Sequence, residues 1–335
     1  MNKLGLSLVT ILLPIALVAC GSSSKKSNNT EEQTTSEPKV DVPLFNADSA
    51  YNYIQKQVDF GPRVPNSKGH KECADFLEAK LAEFGAKTYR QNFDAIAYDG
   101  TILQASNIIG AYKPESKKRV ALFAHWDTRP WADNDPDKAN HHTPILGAND
   151  GASGVGVLLE IARQIQKEEP SIGIDIIFFD AEDYGAPQFY KGIHKEEHWC
   201  LGSQYWSRVP HVENYFARFG ILLDMVGAKN ATFYKERIST SYANNIVKKV
   251  WSKARELGYS NYFINKDGWE IIDDHLFINK LTNIKTIDII PYYPNNEKSS
   301  FGNTWHTIKD NMDDIDTTTL NAVGQTVLAV IYNEQ

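Results

Sequence analysis

An α/β fold with a central mixed, largely parallel sheet flanked by helices is what this 335-residue sequence predicts, on three observations. Apolar runs at residues 120–124 (VALFA), 174–179 (IDIIFF, broken only by Asp175) and 220–223 (GILL) have the composition of strands buried on both faces. These runs alternate with segments of helical spacing, the pattern of helices packed against one sheet. Each run is also followed at once by a carboxylate or an imidazole, which places polar groups where open α/β sheets bind ligands.

Taken in order, residues 47–60 and 69–84 carry helical spacing, the second with Ala74, Leu77, Leu81 and Phe84 on one face and Gly85 placed to terminate it. Residues 88–97 and 103–112 read as strands, and 120–124 as a buried central one. Residues 151–166 form an amphipathic helix through Val155, Leu158, Leu159 and Ala162, starting beside Asp150. The strands at 174–179 and 220–223 follow, then a helix at 242–257, a strand at 284–290 and a last helix at 317–332. Long loops at 128–146, 184–202 and 291–304 are the material for the rim of a site. No repeat period is visible.

The hydrophobic fraction of 42% supplies a substantial core. A formal charge of −7 without a basic stripe argues against a nucleic-acid partner, whose phosphates require clustered Lys and Arg. Residues 1–19 combine Lys3, an apolar stretch and small residues in the manner of a secretory signal peptide too short for a transmembrane helix. The sequence Leu17-Val18-Ala19-Cys20 resembles a bacterial lipobox, so Cys20 is expected to carry lipid and become the N-terminus. Residues 20–42 are then a polar tether, and 43–335 the folded domain, expected in a bacterial cell envelope and facing the periplasm. Cys73 and Cys200 remain in a compartment that permits disulfides, and spacing does not say whether they pair.

The chemistry gathers at the strand ends. His125 follows its strand, with Asp127 two residues on as a partner for a ligating imidazole. Asp150, Asp183, Asp224 and His306 are further candidate ligands of a metal, since carboxylate oxygen and neutral imidazole are ordinary zinc donors. For a lone Asp before Gly-Ala-Ser, as at Asp150, a helix N-cap is the favoured reading. Glu182 and Asp183 are adjacent, so one can bind metal while the other faces a substrate. Asp273, Asp274 and His275 fit a metal site, a hydrogen-bond relay or a helix start, and spacing alone leaves all three open.

The segments GPRVPNSKGH, AHWDTRP, LGANDGASGVGVLLEIAR, FFDAEDYG, LGSQYW, LLDMVGA, IIDDHLF and TWHTIKDNMDDID resemble, in order from about Phe60 to the C-terminus, the zinc aminopeptidase superfamily. Within it they look most like glutaminyl cyclases, which convert N-terminal glutamine to pyroglutamate. The resemblance implies a single domain of the zinc-aminopeptidase type and one zinc per chain held by Asp150, Asp183 and His306. It implies Glu182 as proton carrier, Asp224 and Asp273 as acidic groups of the pocket, and Trp305 and Phe301 as substrate-binding aromatics. Asp183 stands where animal cyclases have Glu, which shortens the arm and keeps an oxygen ligand. The animal enzymes' disulfide has no counterpart here, as Cys73 and Cys200 lie elsewhere. The expected partners are peptides or proteins headed by Gln, and the expected state is a monomer.

A two-metal aminopeptidase would use the same scaffold, with Asp150 bridging and His125 and Asp224 completing a second site. The tryptophan before His306, the IIDDH segment and the LLDMVGA run favour the cyclase, because a two-metal hydrolase needs none of them. A non-catalytic metal-binding lipoprotein would have no use for a proton-transferring Glu182.

Overall fold

The computed structural model describes residues 41–335; the expected signal peptide at 1–19, Cys20 and the expected tether as far as residue 40 lie outside the described residues. The strands are β1 (Lys87–Ile96), β2 (Ile102–Tyr112), β3 (Arg119–His125), β4 (Gly173–Phe179), β5 (Gly220–Leu223), β6 (Phe233–Lys235), β7 (Phe263–Asp267) and β8 (Thr286–Ile289). Six of them form one sheet in the order β1-β2-β4-β3-β5-β8, while β6 and β7 make a separate parallel pair. The β1–β2 and β2–β4 pairs are antiparallel, and β4–β3, β3–β5 and β5–β8 are parallel, so the sheet is mixed as expected. The β1–β2 hairpin turns at Asp99-Gly100, where Gly100 takes φ 87° and the Asp99 carboxylate accepts the Thr101 N–H.

The helices are α1 (Ala47–Val58), α2 (Lys68–Glu83), α3 (Ala152–Lys167), α4 (Leu201–Arg208), α5 (Arg237–Glu256), α6 (Asp274–Leu281) and α7 (Thr317–Tyr332). Alternation along the central strands decides which helices each face meets. Val120, Leu122, Ala124, Ile174, Ile176, Phe178, Ile221 and Leu223 join the main core with side chains of α1, α3, α5 and α7. Ala121, Phe123, Ile177, Phe179 and Leu222 point the other way, into a smaller core with Trp206 of α4 and Ile278 of α6. The buried charge in this region is matched: Arg119 holds Asp175 through Nε at 2.5 Å and Nη2 at 2.7 Å.

The sequence reading found the long helices and all six strands of the main sheet, and missed two short helices and the β6–β7 pair. Helices α4 and α6 have eight residues each, too few for a 3.6-residue period to stand out. Helix α5 begins five residues before the predicted start at 242, because Glu236 caps it by accepting the N–H groups of Ile238 and Ser239. Its two parts meet at a kink at Ala243 (φ −140°). Among the described residues no helix is long and apolar enough to cross a membrane.

From β3 the chain passes through α3 to β4 on one side, and from β4 through α4 to β5 on the other side of β3. This reversal opens a crevice at the carboxyl ends of β3 and β5, the place where such sheets bind ligands.

Candidate active site

Each polar side chain of the crevice is fixed by its own local device. His125 is the last residue of β3, and Asp224 directly follows β5. Asp150 precedes Gly151, which adopts φ 103° and whose Cβ, were there one, would lie 2.5 Å from the Asp127 carbonyl oxygen. Only glycine fits there, so the sharp entry into α3 aims Asp150 at the crevice. Asp150 does not cap α3; its own N–H and that of Asn149 are held by the Asp310 carboxylate at 3.0 and 2.7 Å. Glu182 and Asp183 donate their backbone N–H groups to the two oxygens of Asp127, at 3.0 and 3.1 Å. The carboxylate expected to partner a histidine therefore chiefly clamps this turn, with His125 Nδ1 3.4 Å away.

Asp273 is the N-cap of α6, so the IIDDH segment is a helix start, and its Oδ2 has no hydrogen-bond partner although buried. Four non-glycine residues in or beside the crevice hold left-handed φ: Ala181 (53°), Cys200 (57°), Met225 (50°) and His306 (53°). Such strain persists where surrounding structure over-determines it, and it collects at functional sites.

These devices bring together His125, Asp150, Glu182, Asp183, Asp224, Asp273, Phe301, Trp305 and His306, while Cys73 lies in the main core, His275 turns to Glu236 and Cys20 lies outside the described residues. Ligand atoms of Asp150, Asp183 and His306 lie within 4.8 Å of one another. His306 Nε2 is 3.3 Å from Asp183 Oδ1 and 3.6 Å from Asp150 Oδ2. The Oδ2 atoms of Asp150 and Asp183 are buried without a hydrogen-bond partner. Buried carboxylate oxygens left bare are costly, and a cation between them removes the cost. One imidazole and two carboxylates are a donor set that suits a catalytic divalent ion with a position left open. A second triad, His125, Asp150 and Asp224, shares Asp150. There His125 Nε2 stands 3.1 Å from both Asp150 Oδ1 and Asp224 Oδ1.

Burial raises the Glu182 carboxyl well above its usual range, reinforced by the charges of Asp183, Asp273 and Asp274. Burial likewise pushes Asp224 up to about 7, with Asp273 and Asp150 adding to the effect and His125 opposing it.

The crevice has a volume of about 530 Å³ and combines these acids with an apolar wall of Trp199, Met225, Ile271, Phe301 and Trp305. The Phe301 and Trp305 rings are 4.8 Å apart, and Trp305 stacks on His306 at 3.7 Å. Three contributors escaped the sequence reading. Trp199 lies parallel to the His306 ring, and buried Arg129 sits 4.7 Å over Trp199 while donating to Asp133 and, at 3.2 Å, to Asp183 Oδ1. Asp310, which orients the turn at Asp150, was visible only as part of an acidic stretch. The arginine of AHWDTRP and the tryptophan before CLGSQYW were in view, but only the fold shows what they touch.

This architecture and site define a metallopeptidase-type α/β domain, and residues 107–331 match the model of peptidase family M28; the chain belongs to that family. Within it, the chain closely matches bacterial glutaminyl cyclases of known structure. It is 67% identical to a Bacteroides thetaiotaomicron glutaminyl cyclase bound to N-acetylhistamine, with TM-score 0.86 over 88% of this chain and 100% of that one. A Tannerella forsythia glutaminyl cyclase is 58% identical with the same TM-score, 0.86, covering 88% and 100%. A protein described as a leucine aminopeptidase precursor from Bacteroides thetaiotaomicron is 67% identical, also at 0.86, covering 89% and 100%. Against animal glutaminyl-peptide cyclotransferases the chain spans 72% of a bovine cyclotransferase-like protein but only 63% of the Boiga irregularis enzyme and 62% of a second bovine one.

Proposed function

We propose that the protein is a glutaminyl-peptide cyclotransferase, converting the N-terminal glutamine of peptides or proteins to pyroglutamate with release of ammonia. One observation carries the reading: Glu182 shares a crevice with the Asp150–Asp183–His306 triad and with Asp224 and Asp273, behind an aromatic wall. Identities of 58% and 67% to glutaminyl cyclases support it. Asp150, Asp183 and His306 would hold one zinc, which when bound supplies a Lewis acid to the γ-carbonyl of the substrate glutamine.

The chain's own residues do the rest. Trp305 and Phe301 bind the folded-back side chain and exclude water, so the α-amine meets the γ-carbon intramolecularly and the entropic cost of encounter is met by binding. Asp224 and Asp273 accept hydrogen bonds from the α-amine and hold its lone pair toward that carbon. As the C–N bond of the lactam forms, Glu182 takes a proton from the amine nitrogen. It returns that proton to the departing amide nitrogen as the old C–N bond breaks, and ammonia leaves. A carboxyl raised by burial holds a proton more firmly than an ordinary carboxylate, which suits a group that must take one and pass it on.

The second triad favours one other reading, a two-metal aminopeptidase with His125 and Asp224 as ligands. Zinc per chain is measured on protein lacking residues 1–20, together with turnover of Gln-headed and Leu-headed fluorogenic amides. One zinc with ammonia released from the Gln substrate is the expected result; two zincs with Leu cleavage would establish the peptidase. We further propose that Cys20 carries lipid and anchors the enzyme, as a monomer, in the bacterial envelope facing the periplasm. Cys20→Ser should move it from the membrane fraction to the soluble one.

A further inference from the structure

We infer that Cys200, through its thiol, is a positioning residue for Glu182, holding the carboxylate in the one orientation from which it can serve both nitrogen atoms. The inference rests on Glu182 being the proton carrier.

Cys200 Sγ lies 3.3 Å from Glu182 Oε1, the only hydrogen bond that carboxylate receives among the described residues. The Cys200 backbone N–H donates to the Glu182 carbonyl at 3.0 Å, so main chain and side chain of the glutamate are both tied to one residue. Cys200 is fully buried. Burial and the neighbouring carboxylates of Glu182, Asp274 and Asp273 raise its thiol well above the usual range, so it remains S–H and can act as a donor.

Two further features separate this from ordinary packing. Cys200 adopts a left-handed backbone (φ 57°, ψ 37°), a conformation in which glycine is at ease and a Cβ is not. A side chain kept at such a position needs a use that offsets its strain. Ligand atoms of Glu182, Cys200 and Asp273 also lie within 4.8 Å of one another, and the buried Asp273 Oδ2 has no hydrogen-bond partner. The thiol therefore lies within 4.8 Å of both the proton carrier and Asp273. Without it Glu182 loses its only donor, and the nearest charged alternative is His125 Nδ1, at 4.0 Å.

The test compares Cys200→Gly, Cys200→Ala and Cys200→Ser, reading kcat and KM on a Gln-headed substrate, zinc per chain and thermal midpoint. Glycine is the decisive change, because it removes the donor while relieving the backbone. Cys200→Gly and Cys200→Ala should lower kcat about tenfold, as expected for one lost hydrogen bond, with KM and zinc unchanged. Cys200→Ser, which restores a donor, should recover most of the loss. If glycine fails to fold, alanine and serine carry the same comparison. Wild-type kcat in folded glycine or alanine variants, or serine as impaired as alanine, would overturn the inference. Glu182→Gln measured alongside keeps the two claims apart: turnover in that variant removes the proton carrier itself, whereas a dead Glu182→Gln beside unimpaired Cys200 variants removes only the thiol's role.

Discussion

The two triads that share Asp150 have the same kinds of side chain and differ in how they close. In Asp150–Asp183–His306 the imidazole stays 3.3 to 3.6 Å from its carboxylates, and both acids keep a bare buried oxygen. In His125–Asp150–Asp224 the imidazole is drawn to 3.1 Å from both carboxylates. Burial disfavours its protonation and the facing carboxylates of Asp127, Asp150 and Asp224 favour it, and the balance raises the His125 pKa well above the usual range. One triad sets two bare carboxylate oxygens, on Asp150 and Asp183, beside its imidazole, and the other seats its imidazole between two carboxylate oxygens. Possession of metal-ligand residue types therefore does not by itself count metals; the way each triad closes is what separates them.

The largest expected effect follows from the open triad. Asp183→Ala should abolish zinc binding and lower kcat/KM by roughly a thousandfold or more, and chelation of the wild-type enzyme should do the same until zinc is restored. Metal analysis alongside turnover checks it, and retained zinc with full activity would remove Asp183 from the ligand set. A smaller effect belongs to the closed triad. His125→Asn should leave zinc at one per chain and reduce activity by about tenfold to a hundredfold, because Asp150 and Asp224 lose their orienting partner. A fall from two zincs to one would instead make His125 a ligand and the enzyme a two-metal one.

Much of this was legible in the sequence because the central strands are buried on both faces. IDIIFF and GILL are apolar runs broken only by Asp175, and the residues just beyond them, Glu182, Asp183 and Asp224, must emerge at the crevice. His306 and Asp273 were harder. They reach the site from loop and helix-cap positions, with no apolar run to announce them, and it was resemblance that gave them roles. Trp199, Arg129 and Cys200 were illegible for another reason. Their contacts cross long stretches of chain, and an Arg129 that touches Asp183 looks no different in sequence from one that faces water. The short helices α4 and α6 fell below the length at which periodicity can be read.

A third histidine–carboxylate set extends the comparison to a pair with no part in the proposed chemistry. Buried Glu236 accepts from Ile238 and Ser239 N–H, from Ile271 N–H at 3.1 Å, and from His275 Nε2 at 3.0 Å. Burial alone would raise its pKa, but His275 and the backbone donors outweigh burial and hold it at about 2, against an ordinary value of 4.5. A folded-state pKa below the unfolded one stabilises above pH 4.5, and that stability is lost as pH falls toward 2. The shift corresponds to roughly 3 kcal/mol. Glu236→Gln should therefore flatten the acid side of the stability curve between about pH 4.5 and 2, measured by denaturant unfolding across that range. Activity at neutral pH and zinc content should change little if the variant remains folded. A closed histidine–carboxylate pair would then register in stability, where the open triad registers in metal. Zinc loss in Glu236→Gln would break that division, because it would tie a pair outside the crevice to the ion inside it.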